Sequence, residues 1–438
     1  MIRFALTLAV LLSASLPARA AVDIKEVTSP GGLSAWLVEE HSIPFTALEI
    51  RFKGGASLDA DGKRGAINLM TGLIEEGAAD MDAQAFAKAR ESLAASYEFN
   101  VYDDSLAISA RFLTENRDKA IALLRAALIE PRFDTDAIER VRAQVLSGIA
   151  SDTTDPGHIA SSTFDALAFG DHPYGADRAG TAESVAALTR DDMLDAHARL
   201  LTRDRLVIGA VGDITPDELG TLLDTLLGDL PATSAISVPE VDFALSEGVT
   251  VVDFDTPQSI AYFGHYSGLK NDDPDFFAAY VVNEIFGGNG LDSRLTVEVR
   301  EKRGLTYGIG SFLVALDQTE MILGQAATAN ERMAETIDVV RDQWRHISET
   351  GVTQDELDTA ITYLTGAYPL RFDGNARIAG ILVGMQMDDL GIDYIATRND
   401  RIRAVTLDDA NRVAKRLYRP EDLHFVVVGK PVGLDASN

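Results

Sequence analysis

The sequence predicts an α+β protein of two homologous halves, each a mostly antiparallel sheet with helices packed on one face. Three observations carry this. Leu188–Asp213 and Val405–Lys430 match in pattern, with Thr189 opposite Thr406 and Gly212 opposite Gly429, an offset of 217 residues. Apolar and polar residues alternate through Thr46–Phe52 and Leu106–Phe112, the period of a strand with one covered face. Finally, Pro231–Gly248 is rich in Pro and small polar residues, as a connector should be. A period near 215 is too long for a solenoid and signals duplicated domains.

The individual elements have local signatures. In both copies of the repeat a Thr N-cap and an acidic first turn open a helix, a basic turn comes next, and an apolar strand ends at Val-Gly. A second match sets Phe133-Asp134-Thr135-Asp136 against Val352-Thr353-Gln354-Asp355, each before a helix. A looser third sets the strand Ala47–Phe52 and Gly55 against Ile260–His265 and Gly268. The expected organisation is an export signal over 1–20, one domain over 21–230, a linker over 231–248 and a second domain over 249–438.

The signal reading rests on Arg3, the apolar run Phe4–Leu12, the Pro17 break and Ala18-Arg19-Ala20. The apolar run is shorter than the ~20 residues a membrane helix needs. A soluble, exported protein of a bacterial periplasm is expected, with no membrane span. Without Arg3 and Arg19 the chain keeps 37 basic against 68 acidic residues, a net charge of −31. That charge repels nucleic acid and anionic lipid. There are no cysteines, which excludes disulfides and thiolate metal sites.

Residues 293–307 carry the densest chemistry. Arg300 and Tyr307 stand seven apart across Gly304, where helix formers give way to Leu-Thr-Tyr-Gly-Ile-Gly. The pattern predicts a helix end at Gly304 and a turn into a strand. Such a turn could aim a guanidinium and a phenol at one carbonyl oxygen. On spacing alone, a solvated basic helix end that favours its dipole is the better reading.

This block resembles the C-terminal signature of the M16 (insulinase/pitrilysin/processing-peptidase) family, in which an Arg and a Tyr at this spacing reach into a zinc peptidase site. The likeness covers nearly the whole chain after the signal. Gly32–Ala56 resembles the family's opening pair of strands, Gly65–Gly77 sits where its zinc helix belongs, Phe133–Ile149 resembles the helix of its third ligand, and Ile285–Leu295 its Gly-rich lead into the Arg helix. The resemblance implies two α+β halves forming a clamshell around a cavity.

The family's zinc is held by His-x-x-Glu-His and a later Glu. Carried over residue by residue, the ligand positions fall on Asn68, Gly72 and Gly148, and the base position on Thr71. Asn68 is a weak oxygen ligand, Thr71 is no base at neutral pH, and glycine offers nothing. The seven histidines include no pair at i, i+3 or i, i+4, and Glu75 and Glu76 have no histidine beside them. Only a site assembled from distant histidines remains open. No metal or other cofactor is expected in this chain.

The combination resembles the non-zinc subunit of a two-chain M16 peptidase, with zinc in a homologous partner that bears His-x-x-Glu-His. The resemblance implies a heterodimer acting on peptides or unfolded protein, with Arg300 and Tyr307 as catalytic residues that bind substrate and stabilise the oxyanion. The alternative is a non-catalytic peptide-binding or scaffold protein holding extended peptide on a free sheet edge. Among the remaining residues, Gly287–Gly290 reads as a turn with Asp292 or Ser293 as cap. Arg294 reads as an anchor, Lys302 and Arg303 as surface charges, His265 as structural, and Asp255–Gln258 as an ordinary turn.

Overall fold

Two sheets with one strand order organise the chain, seen in a computed structural model that describes residues 22–288 and 292–434. The first runs Lys25–Thr28, Ser34–Glu39, Leu206–Gly212, Phe45–Lys53, Ser105–Leu113, Ser96–Val101. The second runs Gly248–Asp253, His424–Gly429, Gln258–Tyr266, Thr319–Ala329, Ile309–Leu316. Apart from the extra first strand, the orders coincide position by position. Each sheet is antiparallel except for one parallel pair, Ser34–Glu39 with Leu206–Gly212 and Gly248–Asp253 with His424–Gly429. The sheets are therefore mixed, and the exception falls at the same place in both halves.

The repeat seen in the sequence is the repeat in the fold. Thr189 and Thr406 each cap a helix in a reciprocal capping box, with Asp192 and Asp409 respectively. Gly212 and Gly429 close equivalent strands at φ of 145° and 151°, a conformation that favours glycine. The pair at the second match is less symmetric. Thr353 caps its helix through Glu356, whereas Asp134 precedes Thr135–Asp152 with no side-chain cap bond.

Each half packs its own helices on one face of its sheet, around Phe52, Ile108 and Leu124 in the first half and Phe263, Phe286 and Trp344 in the second. The opposite faces are also covered, and reciprocally. The first half's helix Pro156–Phe169 lies on the second sheet, where Phe164 meets Tyr262 edge-on at 5.3 Å between ring centres. The second half's helix Asn375–Met387 lies on the first sheet, with Ala379 and Leu382 against Ala47 and Val211. Gln386 Nε2 also donates to the Ile208 carbonyl at 2.9 Å.

Between 231 and 247 the chain has no helix or strand, yet it is docked. Arg203 and Asp204 amides donate to the Pro231 and Ala232 carbonyls, and Phe243 packs on Phe164 and Phe169. Residues 1–20, where the sequence pattern leads one to expect an export signal, and Asn289–Leu291 of the Gly-rich turn lie outside the described residues. No helix among the described residues is long and apolar enough to cross a membrane.

Candidate functional site

The predicted helix end before Gly304 is present, with an unexpected winding. Residues Thr296–Glu301 form a π-helix, in which the Lys302 amide donates to the Val297 carbonyl five residues back at 2.9 Å. π-turns widen a helix end and recur at functional positions. Gly304 then turns at φ 58°, its amide bonded to the Arg300 carbonyl at 2.9 Å, and the Leu305 amide reaches the Val299 carbonyl at 2.9 Å. Buried Val299 and Leu305 hold both ends of the turn in the core.

Thr306 pins the segment between this turn and the next strand. Its hydroxyl lies 2.7 Å from the Ala327 carbonyl, and it accepts from the Gly308 amide at 3.1 Å. Thr328 Oγ1 donates to the Leu305 carbonyl. The strand Ile309–Leu316 begins directly after. With its neighbours tied down, Tyr307 projects outward and is 89% exposed.

Arg300 and Tyr307 line one concavity of about 450 Å³, with Gln258, Thr306 and Arg332. Neither side chain has a hydrogen-bond or ion-pair partner among the described residues. The adjacent cations do have partners. Lys302 Nζ and Arg303 Nη1 sit 2.6 and 2.7 Å from Glu298, whose bond with Lys302 in particular lowers its pKa. Arg294 is the expected anchor: it makes a bidentate pair with Glu356 at 2.7 and 2.8 Å and reaches the Gly351 carbonyl at 2.9 Å. Burial opposes ionisation of Glu356, but its bonds with Arg294 and Thr353 prevail and hold it at about 2. Of the two proposed caps, Ser293 Oγ receives the Thr296 amide at 3.4 Å.

The zinc-helix positions are arranged differently. The helix Ala66–Leu73 carries Asn68, Thr71 and Gly72. Thr71 is buried and donates to the Ile67 carbonyl at 2.7 Å, so its hydroxyl is engaged within the helix. A Cβ on Gly72 would lie 2.9 Å from Val141 Cγ1, so the helix presses against Thr135–Asp152 where a ligand side chain would have to stand. Gly148, on that second helix, faces open space. The family zinc site does not fit these residues. Glu75 and Glu76 are paired with Arg90 and Arg140 instead. His265 is buried, accepts from Trp344 Nε1 at 3.2 Å, and is lowered by burial to about 4, as a structural histidine.

Two sequence profiles match the chain. "Insulinase (Peptidase family M16)" covers residues 36–182, and "Peptidase M16 inactive domain" covers 187–364. The chain belongs to the M16 peptidase family. It is similar to a Helicobacter pylori protein named "Non-peptidase homolog YmxG", 27% identical over 89% of this chain and 90% of that one. An uncharacterized zinc protease of Mycobacterium tuberculosis is 26% identical over 91% of each chain. Among solved structures, an M16 inactive domain from Pseudomonas fluorescens superposes with a TM-score of 0.87 at 26% identity, over 95% of this chain and all of that one. M16 relatives of this chain thus carry names on both sides of the peptidase divide.

Sequence reasoning missed one grouping in the first half. Asp152, His158 and Asp177 each bring a ligand-capable atom within 4.8 Å of the others. Their spacings of 6 and 19 residues match no helical metal motif, so only the fold reveals them.

Proposed function

We propose that this chain is the non-zinc subunit of a heteromeric M16 endopeptidase, lending Arg300 and Tyr307 to a partner that bears His-x-x-Glu-His. One observation carries the reading: a guanidinium and a phenol hydroxyl without partners among the described residues share one concavity, while the zinc-ligand positions of the same chain hold Asn68, Gly72 and Gly148. An Arg beside a buried core is ordinarily drawn into ion pairs, as Arg294 is. Donors left open at a pinned turn are suited to a substrate carbonyl and to the oxyanion that forms from it. The partner supplies the metal, and the substrate is a peptide or an unfolded segment.

The test mixes the purified chain with a His-x-x-Glu-His M16 subunit and follows peptide hydrolysis. Arg300→Ala should lower kcat by about 10²–10³-fold, the usual loss for one oxyanion donor, and Tyr307→Phe should act in the same direction. Unchanged turnover by Arg300→Ala would sink the catalytic role.

A second reading is favoured by the name that the Helicobacter relative carries. As a non-peptidase peptide-binding or scaffold protein, the chain would retain its binding after loss of both Arg300 and Tyr307. The export pattern at 1–20 supports a periplasmic site of action for either reading. Cell fractionation and an N-terminus at Ala21 would check it.

A further inference from the structure

We infer that Asp152, His158 and Asp177 form a site for one divalent transition-metal ion of the zinc class. The three come from separate segments: the last residue of the helix Thr135–Asp152, the first turn of Pro156–Phe169, and the loop after Tyr174. They line a half-buried concavity of about 390 Å³ that also receives Asn68, Asp103 and Asp165. His158 Nε2 stands 2.8 Å from Asp177 Oδ2, and one atom of each of the three lies within 4.8 Å of the others. An imidazole nitrogen with two carboxylates is a donor set suited to zinc-class ions, which take such atoms at about 2.0–2.2 Å. Small inward movements would close the set around an ion.

A second observation, independent of those distances, is the unbalanced charge. Four carboxylates line the concavity against one arginine of the same lining, Arg178, whose charge acts on Asp103. Asp103 has Arg64 at 3.5 Å and Asp177 has His158. The carboxyl groups of Asp152 and Asp165, and the amide of Asn68, have no hydrogen-bond or ion-pair partner among the described residues. Asp165 is flanked by Asp103 and Asp177, which repel its charge. Like charges crowded in a sheltered concavity cost free energy unless a cation or a proton joins them.

The site lies one helical turn beyond Gly148, on the same helix, and takes no ligand from the four degenerate zinc positions, although Asn68 lines the same concavity. Its role is to tie a helix end, a helix start and a loop together. It does not depend on Arg300 or Tyr307.

The test takes the tag-free mature chain, stripped with chelator, and titrates it with Co²⁺ and Zn²⁺ at pH 7.5. Expected are one equivalent of bound metal by mass spectrometry, a visible Co²⁺ absorption band displaced by Zn²⁺, and a higher Tm with Zn²⁺. His158→Gln should abolish the band and weaken binding by at least about 100-fold, the upper end of what loss of a mere outer partner costs. Asp152→Asn is the companion variant, because its carboxylate has no hydrogen-bond or ion-pair partner among the described residues and its loss should leave the fold intact. It should weaken uptake as well, while Arg300→Ala should not. Absence of stoichiometric uptake, or uptake that both variants leave unchanged, would overturn the site and leave His158–Asp177 an ordinary ion pair. Peptide hydrolysis by the metal-loaded chain alone would instead sink the two-subunit reading and leave this site standing.

Discussion

The two halves share a strand order, capping boxes and terminal glycines, yet they differ in what they leave available to chemistry. In the first half, the base position and one of the ligand positions are closed: Thr71 bonds its own helix, and Gly72 abuts Val141. In the second, the turn after Val299 is pinned from below, while Arg300 and Tyr307 above it have no hydrogen-bond or ion-pair partner among the described residues. A duplicated fold thus keeps its scaffold through symmetric backbone features, while side chains at unequal positions set which groups each copy leaves open. Fold and function sit on different residues here.

The reciprocal helices offer the strongest way to break the comparison. Phe164 is fully buried between the halves, against Tyr262 and Phe243. Phe164→Ala should cost about 3–5 kcal/mol, read by urea unfolding. Because the residue belongs to the first half and packs on the second sheet, probes in both halves should report the loss together. A loss confined to the first half would show that the two behave as separate units.

The closed zinc position sharpens the contrast next. Gly72→Ala places a Cβ 2.9 Å from Val141 Cγ1. Crowding of this kind costs about 1–3 kcal/mol, partly offset by the better helix propensity of Ala, about 1 kcal/mol. Destabilisation should therefore be modest, and Val141→Ala in the same chain should relieve it. If Gly72→Ala alone stabilised the protein, the helix contact would not be what excludes a ligand.

Much of this was legible in the sequence, and the rest was hidden for physical reasons. Thr189, Thr406, Gly212 and Gly429 are local signals, since caps and left-handed turns are decided by neighbours a few residues away, and all four stand where the pattern put them. The Gly304 turn belongs to the same class. The helices Pro156–Phe169 and Asn375–Met387 are largely apolar with little one-sided pattern, and nothing in their own residues says whose sheet they cover. The π-winding at Thr296–Glu301 shifts the hydrogen-bond partners by one residue, too little to disturb a hydrophobic period. Arg294 and Glu356 are 62 residues apart in sequence, and Asp152, His158 and Asp177 gather only once three segments have folded.

The smallest expected effect concerns the seam between the halves. Asp104, in the first, accepts from Tyr174 Oη at 2.6 Å and from the amide of Asp317, in the second, at 3.0 Å. Burial raises its pKa to about 6, despite these bonds, with Asp317 and Asp103 adding repulsion. A carboxyl group whose pKa is raised on folding stabilises most when protonated. Its contribution is complete below the unfolded value near 4 and is lost as pH rises through 6. Asn resembles the protonated form, accepting from the Asp317 amide through its oxygen while its NH₂ faces Tyr174 Oη. Asp104→Asn should therefore be stabilising relative to the parent at pH 8, with the advantage shrinking through pH 6 and gone by about pH 4. His197 and His265, both lowered by burial, pull the opposite way in this range, so the difference between variant and parent is the quantity to follow. An advantage that stayed constant with pH would mean that Asp104 does not titrate between the halves, and that the seam is held by apolar packing and fixed hydrogen bonds alone.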